Sequence, residues 1–401
     1  FQLMSRSWRS RDSFVVPFSF RSREEADRYE VSKLIGTGTF GKVYRVFDRS
    51  SKKWMALKVV PTTTINKHGN KNELEALQRA NYLQQNNTHK SLIVMLFNST
   101  IVEEGNWQCQ ALFLEYLGPS LYSLLEVNGN NRWTVPRSHI LHIARQLLQA
   151  SQFLCKKCKY IHLDIKPENI AFVSHRFYTK DGIHIMSSPL IRVFDLNSSC
   201  ETRALPLRAT VITTHYRPPE IYLGIPFTEN AELFSIGATC FEMLFGVTMF
   251  GSEIEEEILY TECCVLGHPS WSMLATSFAE EAKKPEKYNF VRRRRLAEYD
   301  ERFYMLQYLN LENQRSLSYK ELYPLEDYIN QLRTEGSKDL WLDLMYEFMR
   351  RLMRMDPKER WTAEEALKSS IFKIRIPPLT FNKNHCSPVN DHPYKRARYG
   401  H

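Results

Sequence analysis

The sequence lacks any apolar run long enough to cross a bilayer, and it has no basic-then-apolar leader at its start. Its eight cysteines are scattered without the spacing of a disulfide framework, which favours a reducing compartment. Cys155 and Cys158 form one CxxC, but no second CxxC or HxxxH completes a zinc site. We therefore interpret these two cysteines as helix-end residues.

What the sequence does contain is ordinary for a globular chain, with 43% hydrophobic and 25% charged residues. Its 401 residues fit a large two-lobed domain, and its start at Phe1 rather than Met is expected of a fragment. The net charge of +9 comes largely from basic runs such as SRSWRSRDS, Arg292–Arg295 and YKRAR. Each run has two interpretations. It is either a solvated face or disordered tail, or it is a nuclear localisation signal or phosphate-binding patch. No RNP-type aromatic motif accompanies the arginines, so direct nucleic-acid binding is not expected.

The order of apolar patterns predicts the class α+β. Alternating residues from YEVSKLIGTGTFGKV to WMALKVV predict strands, and NELEALQRANYLQQ has helical spacing. Strands return up to LFLEYL, and mostly helical patterns follow Gly118 and Pro119. We predict a small antiparallel β-rich lobe with one main helix over about 29–117 and a larger, mainly helical lobe over about 118–372. Residues 1–28 are predicted as a basic tail and 373–401 as a C-terminal tail, and a ligand is expected in a cleft between the lobes.

The segment GTGTFGKV favours a phosphate-binding hairpin. A GxGxxG is weak on its own, but strands flank this one on both sides, which disfavours a dinucleotide-binding turn. Lys58 follows in an otherwise apolar strand, where a lysine is costly unless it is paired. Glu73, on the next helix, is its natural partner. The alternative, a surface lysine and a surface glutamate, is disfavoured by this order after a glycine hairpin.

The segment HLDIKPEN carries the predicted reaction centre. Asp164 can accept or orient a hydroxyl proton, and Lys166 can neutralise a moving phosphoryl group. Asn169 offers a carbonyl oxygen to magnesium, and Asp195 of VFDLNSS offers a carboxylate. Phosphoryl transfer asks the protein mainly for positioning and charge neutralisation, which these groups supply.

These motifs in this order, together with YRPPE and DPKERW, resemble eukaryotic protein kinases from about Tyr29 to Phe372. The resemblance implies the two-lobed protein kinase fold, ATP and Mg²⁺ as cofactors, and transfer of the γ-phosphate to Ser/Thr, and also to Tyr in some members. It pairs Glu220 with Arg360 and places Leu114 at the gatekeeper position. The implied nucleotide-binding residues are Ile35, Gly36, Gly38, Gly41, Val43, Ala56, Lys58, Glu73, Glu115 and Leu117.

Finer features resemble the LAMMER (cdc-like) family of the CMGC group. TTHYRPPEIYL, FVSHRFY…SSPLIRVFD and KYNFVRRRRLAEYDE are similar to its activation loop, extended hairpin and RLxWDE segment. This resemblance implies protein substrates that include Arg/Ser-rich splicing factors, in the nucleus or otherwise in the cytoplasm. We expect the protein to be a monomer. It places Thr213 beside the catalytic aspartate, and it makes Glu168 either a reader of substrate arginine or a structural residue.

The sequence departs from the family around the site. The signature EHLAMMERILG reads EILYTECCVLG at Glu257 to Gly267, which puts docking and regulation specific to the family in doubt. Leu163 replaces the residue before the catalytic aspartate, where an arginine would bind an activation-loop phosphate. Ser198, Thr202 and Thr210 are therefore not expected to be obligatory switches.

Three further changes support an alternative function. Glu232 stands where kinases carry an aspartate that binds the catalytic-loop backbone, so its extra methylene requires local shifts. Leu196 and Asn197 replace the Phe and Gly of DFG, and asparagine is the next most tolerant residue of φ > 0 after glycine. We expect the metal-binding acid to be retained on an altered hinge. The alternative is a pseudokinase that acts as a nucleotide-binding scaffold.

Overall fold

The structure, a computed structural model, describes residues 16–38, 41–62, 67–84, 91–129, 135–180, 182–205, 212–252, 255–267, 269–283, 324–333, 338–376 and 386–388. The chain divides into two compact units. The first unit consists of Phe1–Asn81 and Val94–Tyr116, and the second of Tyr82–Ile93 and Leu117–His401. The basic run at 292–295 and Thr210 lie outside the described residues.

The first unit is built on a six-stranded antiparallel sheet in the order β1-β5-β6-β4-β3-β2. The strands are β1 Ser19–Phe20, β2 Tyr29–Thr37, β3 Lys42–Asp48, β4 Lys53–Pro61, β5 Leu96–Glu104 and β6 Trp107–Glu115. Helix α1 covers Arg23–Arg28, and α2 covers Lys67–Gln84. The predicted strand pattern is confirmed, since alternate residues of β3 and β4 are buried in a core on one face of the sheet.

Residues 16–28, which the sequence analysis assigns to the basic tail, form β1 and α1 in this unit. Strand β1 pairs with β5, and Phe18 and Phe20 pack against the aromatic core. Arg28 at the end of α1 forms two hydrogen bonds to the buried carboxylate of Asp48, each of 2.9 Å. The Arg28 guanidinium, with hydroxyls from the following turn, holds the pKa of Asp48 well below its usual range.

The second unit is mainly helical. Its helices are α3 Leu121–Val127, α4 Arg137–Phe153, α5 Pro219–Tyr222, α6 Asn230–Phe245, α7 Glu255–Leu266, α8 Trp271–Lys283, α9 Leu325–Asn330, α10 Leu340–Leu352 and α11 Ala363–Leu367. Helix α6 lies at the centre, because every residue from Ala231 to Phe245 is buried. Gly237 allows the C-terminal end of α10 to approach α6, since a Cβ there would lie 3.2 Å from Cβ of Leu352 and 2.5 Å from Cγ of Met353, the residue after α10.

Short strands in this unit hold the loops that carry the predicted chemistry. They are β7 Tyr160–Ile161, β8 Ile170–Phe172, β9 Arg176–Lys180, β10 Ile183–Met186, β11 Ile191–Val193, β12 Cys200–Glu201 and β13 Cys386–Pro388. Strand β8 pairs with β11, β7 pairs with β12, and β10, β9 and β13 form a three-stranded sheet. The predicted extended hairpin is thus β9–β10.

Cys155 and Cys158 lie in a π-helical turn, Leu154–Cys158, that ends α4, so the prediction of helix-end residues is confirmed. Within the described part of the chain, no helix is long and apolar enough to cross a membrane.

Candidate active site

The first unit contains the predicted lysine–glutamate pair. Nζ of Lys58 lies 2.7 and 2.8 Å from the two carboxylate oxygens of Glu73. Both side chains are buried, with residue exposures of 8% and 1%. The prediction that these two residues pair is confirmed, and the pairing offsets the cost of burying an ammonium group in the sheet.

The glycine hairpin joins β2 to β3. The N–H of Gly38 donates to the carbonyl of Gly41 at 2.8 Å, which closes the turn. A Cβ on Gly41 would lie 2.3 Å from the carbonyl oxygen of Val59, whereas one on Gly36 or Gly38 would meet no close neighbour. Among the three predicted phosphate-loop glycines, only Gly41 is therefore required by the approach of the hairpin to β4.

The other predicted nucleotide-binding residues of this unit lie along the same strands. The register pairs Val43 with Lys58 and Ala56 with Leu114, so these side chains lie on the sheet face opposite the aromatic core. Glu115 lies on β6 opposite Met55 of β4, and its N–H donates to the carbonyl of Met95 at 2.9 Å. Ile35, by contrast, is 40% exposed on β2. Leu117 belongs to the second unit.

In the second unit, Asp164 is the centre of a polar network. Its Oδ1 accepts a hydrogen bond of 2.5 Å from Thr213. The Nδ2 of Asn169 donates to its Oδ2 at 2.8 Å and to its carbonyl at 2.9 Å. Nζ of Lys166 lies 3.1 Å from Oδ2 and donates to Oγ1 of Thr213 at 2.7 Å. The predicted position of Thr213 beside the aspartate is confirmed, and the network fixes the carboxylate by contacts on both oxygens.

The backbone before Asp164 is tied to the central helix. The carboxylate of Glu232 accepts hydrogen bonds from the N–H groups of His162 and Leu163 and from the hydroxyl of Ser151. Leu163 has a φ of 62°, a left-handed conformation that a branched side chain rarely adopts. Glu232 thus makes the backbone contacts expected of an aspartate at this position, and these contacts hold Leu163 in its strained conformation.

The backbone of the metal loop is left-handed at the acid itself. Asp195 itself is left-handed, with φ 65° and ψ 66°, whereas Asn197 lies in a 3₁₀ turn and has no positive φ. The tolerance of asparagine for positive φ is therefore not used at Asn197, since the left-handed residue of this loop is the acid. The Leu196 side chain is fully buried, and the N–H of Phe194 donates to the carbonyl of Asn169 at 3.0 Å. This last bond joins the metal loop to the catalytic loop.

The donors of these loops suit magnesium. The amide nitrogen of Asn169 is engaged by Asp164, which leaves its Oδ1 as a ligand, and Asp195 adds a carboxylate. Mg²⁺ is usually held by one or two carboxylates together with phosphate and water oxygens. A cage made only of protein is not present, because no group of three or more His, Cys, Asp or Glu side chains within the described ranges could hold a metal.

Leu163 occupies the position where an arginine would bind an activation-loop phosphate. It is buried in an apolar cluster with Ile161 and Ile212, and partly buried Cys200 and Leu205 pack against the same cluster. These last two residues and Ile212 belong to the segment between the metal loop and YRPPE. Apolar contact therefore fixes this segment to the catalytic loop at the position where an arginine would pair with a phosphate.

The structure also reveals an acidic pair that the sequence analysis did not identify. Glu242 of α6 is 5% exposed and accepts a hydrogen bond of 2.6 Å from the hydroxyl of Tyr216. Burial, with a contribution from nearby Glu168, raises the pKa of Glu242 to about 7. Burial also raises the pKa of Glu168, whose Oε2 is buried without a hydrogen-bond partner. A lone acid in the apolar run FSIGATCFEMLF was the available signal for Glu242.

The predicted pair between YRPPE and DPKERW also forms. Arg360 makes hydrogen bonds of 2.7 and 2.9 Å to the two oxygens of Glu220, and both side chains are fully buried. Arg360 also donates to the carbonyls of Asn230 and Arg354, which satisfies the rest of its guanidinium.

Comparison with known proteins gives the family. The family described as "Protein kinase domain" matches residues 29–372. The chain belongs to the protein kinase domain family. Its predicted α+β class, with a strand-rich lobe and a mainly helical lobe, is thereby confirmed as the kinase fold. A crystal structure of a kinase domain aligns with a TM-score of 0.67 and 21% identity, covering 86% of this chain and 95% of that one.

The curated relatives that this chain resembles are also protein kinases. The kinase domain is 28% identical to human dual specificity protein kinase CLK2 over 88% of this chain and 65% of CLK2. It is 27% identical to Arabidopsis thaliana serine/threonine-protein kinase AFC3 over 90% of this chain and 86% of that protein. It is also 30% identical to mouse dual specificity tyrosine-phosphorylation-regulated kinase 3 over 89% of this chain and 56% of that protein. The chain thus spans about two thirds or less of two of these three relatives.

Proposed function

We propose that this kinase domain is catalytically active and transfers the γ-phosphate of Mg-ATP to Ser/Thr, and also to Tyr, of protein substrates. The observation that carries the proposal is the complete network around Asp164, in which Thr213, Lys166 and Asn169 each contact the carboxylate. A scaffold without turnover would not need this carboxylate oriented by three separate side chains. The dual-specificity relatives support the inclusion of tyrosine.

Each residue has a role that follows from its chemistry. In the first unit, Lys58 is held by Glu73 and would bind the nucleotide phosphates. In the second unit, Asp164 orients the substrate hydroxyl and accepts its proton, while Lys166 neutralises the transferred phosphoryl group. Asn169 and Asp195 would hold Mg²⁺, which supplies charge neutralisation at the phosphate oxygens when it is bound.

We further propose that the substrates carry arginine, as Arg/Ser-rich proteins do. Glu168 and Glu242 lie close enough together to raise the pKa of Glu242, and Glu168 directly precedes Asn169 of the catalytic loop. Glu242 is buried, Glu168 is partly buried, and Oε2 of Glu168 has no hydrogen-bond partner. A guanidinium bound at this pair would satisfy that oxygen and stabilise the ionised forms of both acids. This local acidity also offsets the repulsion that a chain of net charge +9 would exert on basic substrates.

The activity is tested with purified chain, Mg-ATP and an Arg/Ser peptide. Phosphate incorporation is expected, and Asp164→Asn should abolish it because the amide cannot accept the hydroxyl proton. Thermal melting with and without Mg-ATP serves as the control for folding and nucleotide binding. If neither the wild-type chain nor the variant incorporates phosphate while ATP still raises the melting temperature, the nucleotide-binding scaffold replaces this proposal.

The substrate class is tested separately with matched peptides. Replacement of the arginines in the Arg/Ser peptide by citrulline removes charge but keeps the shape of the side chain. The kinase should prefer the arginine peptide, and Glu242→Gln should reduce that preference while the activity on citrulline peptide is retained. Equal preference in wild type would reject arginine recognition without affecting the assignment of catalysis.

A further inference from the structure

The hairpin β9–β10 occupies a distinctive place in the chain. It lies between β8, which follows the catalytic loop, and β11, which precedes Asp195, and β8 and β11 pair with each other. The hydroxyls of Ser174 and Ser187 close its base at 2.7 Å. An isolated hairpin has two open edges, and each edge can pair with another strand. In this kinase the two edges are closed in different ways.

The outer edge of β10 is closed by a side chain. Asn128, at the end of α3, accepts a hydrogen bond of 2.8 Å from the N–H of His184 and donates one of 2.9 Å to its carbonyl. The carboxamide thus takes the place of a neighbouring strand residue, and it fixes the hairpin to the helical unit.

The outer edge of β9 is closed by the C-terminal segment. The carbonyl of Arg176 faces β10 and accepts a hydrogen bond of 2.9 Å from the N–H of Ser187. Because the N–H and C=O groups of successive strand residues face opposite edges, those of Phe177 face outward. Strand β13 pairs with β9 along that edge, and Ser387 lies opposite Phe177.

A proline fixes the register of this pairing. Pro388 lies opposite Arg176, whose carbonyl accepts from Ser187 and whose N–H donates to Oγ of Ser174, so the missing N–H of the proline interrupts no hydrogen bond to β9. A shift of one residue would place Pro388 opposite Phe177, where an N–H is needed. The sequence Cys-Ser-Pro is therefore compatible with this register and disfavours the adjacent one.

We propose that the outer edge of β9 is a strand-docking site for the chain's own C-terminal segment, Cys386–Pro388. The segment acts as a clasp that ties the C-terminal tail to the hairpin between the catalytic and metal loops. Among the residues that the structure describes, three of this segment pair with β9, and Ser387 is the one whose two backbone groups both face β9, so the clasp is reversible. This role goes beyond phosphoryl transfer and does not depend on it.

The clasp is tested in the full chain with two substitutions at one position. Ser387→Pro removes the N–H that pairs with Phe177, and Ser387→Ala keeps it. Hydrogen exchange measured by NMR should show the Phe177 amide exchanging faster, on the order of tenfold, in the proline variant only. The Tyr178 amide, which faces β10, should not change and serves as the internal control. Equal exchange of Phe177 in all three chains would overturn the proposal.

A binding experiment tests the site in trans. A fluorescent peptide of residues 382–392 should bind the Ser387→Pro chain at least about tenfold more tightly than the wild-type chain, whose site is occupied. The same peptide with proline in place of Ser387 should bind neither chain. Equal affinity of the wild-type peptide for both chains, or no binding to either, would show that this edge does not dock the segment.

Discussion

A buried carboxyl group in α7 makes a measurable prediction about stability. Glu262 is fully buried, and neither of its carboxyl oxygens has a hydrogen-bond partner. Burial and the neighbouring charge of Glu220 raise its pKa well above the usual value of 4.5, although Arg360 and Arg217 act in the opposite direction. The corresponding letter of the signature EHLAMMERILG is methionine. We therefore expect Glu262→Met to stabilise the kinase domain.

The magnitude follows from the two forms of the acid. An unpartnered buried polar group costs about 1–3 kcal/mol, which the methionine removes at any pH. Above pH 4.5 the unfolded chain releases the proton of Glu262 while the folded chain retains it. The free energy of unfolding of the wild type therefore falls by up to about 1.4 kcal/mol per pH unit until the pH reaches the folded pKa.

Urea denaturation followed by circular dichroism at several pH values separates these contributions. Glu262→Gln is the matched control, because it keeps an unpartnered polar group but cannot ionise. The difference between the glutamine variant and the wild type should be near zero at pH 4.5 and should grow as the pH rises. The difference between the methionine and glutamine variants should stay at about 1–3 kcal/mol. A destabilising methionine, or a pH-independent difference between wild type and glutamine, would mean that Glu262 is ionised and paired in the folded chain.

Three further predictions follow from other buried groups. Arg360→Met should lower the free energy of unfolding, measured by urea titration, by about 3–5 kcal/mol, because it leaves the buried Glu220 carboxylate without its counterion. Adding Glu220→Gln should restore part of this loss. If the changes in unfolding free energy of the two substitutions were fully additive, Arg360 and Glu220 would not be coupled and this prediction would be wrong. Leu163→Ala should cost about 2–5 kcal/mol through the apolar cluster, and a loss below 0.5 kcal/mol would argue against packing as its role. The KM for an arginine peptide should fall as the pH rises from 6 to 8, because Glu242, with a pKa of about 7, becomes ionised. Glu242→Gln should flatten this pH profile. A profile that is unchanged in this variant would exclude Glu242 from arginine recognition.

The sequence predicted the residues whose chemistry conflicts with their surroundings. Lys58 in an apolar strand required an acid, and Glu73 was the natural choice on the next helix. Acids placed just after apolar strands indicated Asp164 and Asp195, because a buried strand that ends in a carboxylate is costly without a function.

Other features depend on the fold and leave little trace in the sequence. Strands β1 and β13 are two and three residues long, too short for a period-two pattern to be recognised. The left-handed conformation of Leu163 could not be predicted, because leucine disfavours it by about 1–2 kcal/mol. It depends on the backbone N–H groups of His162 and Leu163, which donate to the carboxylate of Glu232, a residue distant in the sequence. The interaction of Glu168 with Glu242 requires α6 to lie beside the catalytic loop, which is a property of tertiary packing.

The N-terminal strand has a practical consequence for the limits of the domain. The family match begins at Tyr29, but Phe20 stacks on Phe113, Phe18 packs edge-to-face against Tyr44, and Arg28 neutralises the buried Asp48. A recombinant chain cut at Tyr29 would expose Phe113 and leave that aspartate charged without its counterion. Proteins expressed for screening should therefore begin upstream of Val16, since homology boundaries here fall inside a folding unit.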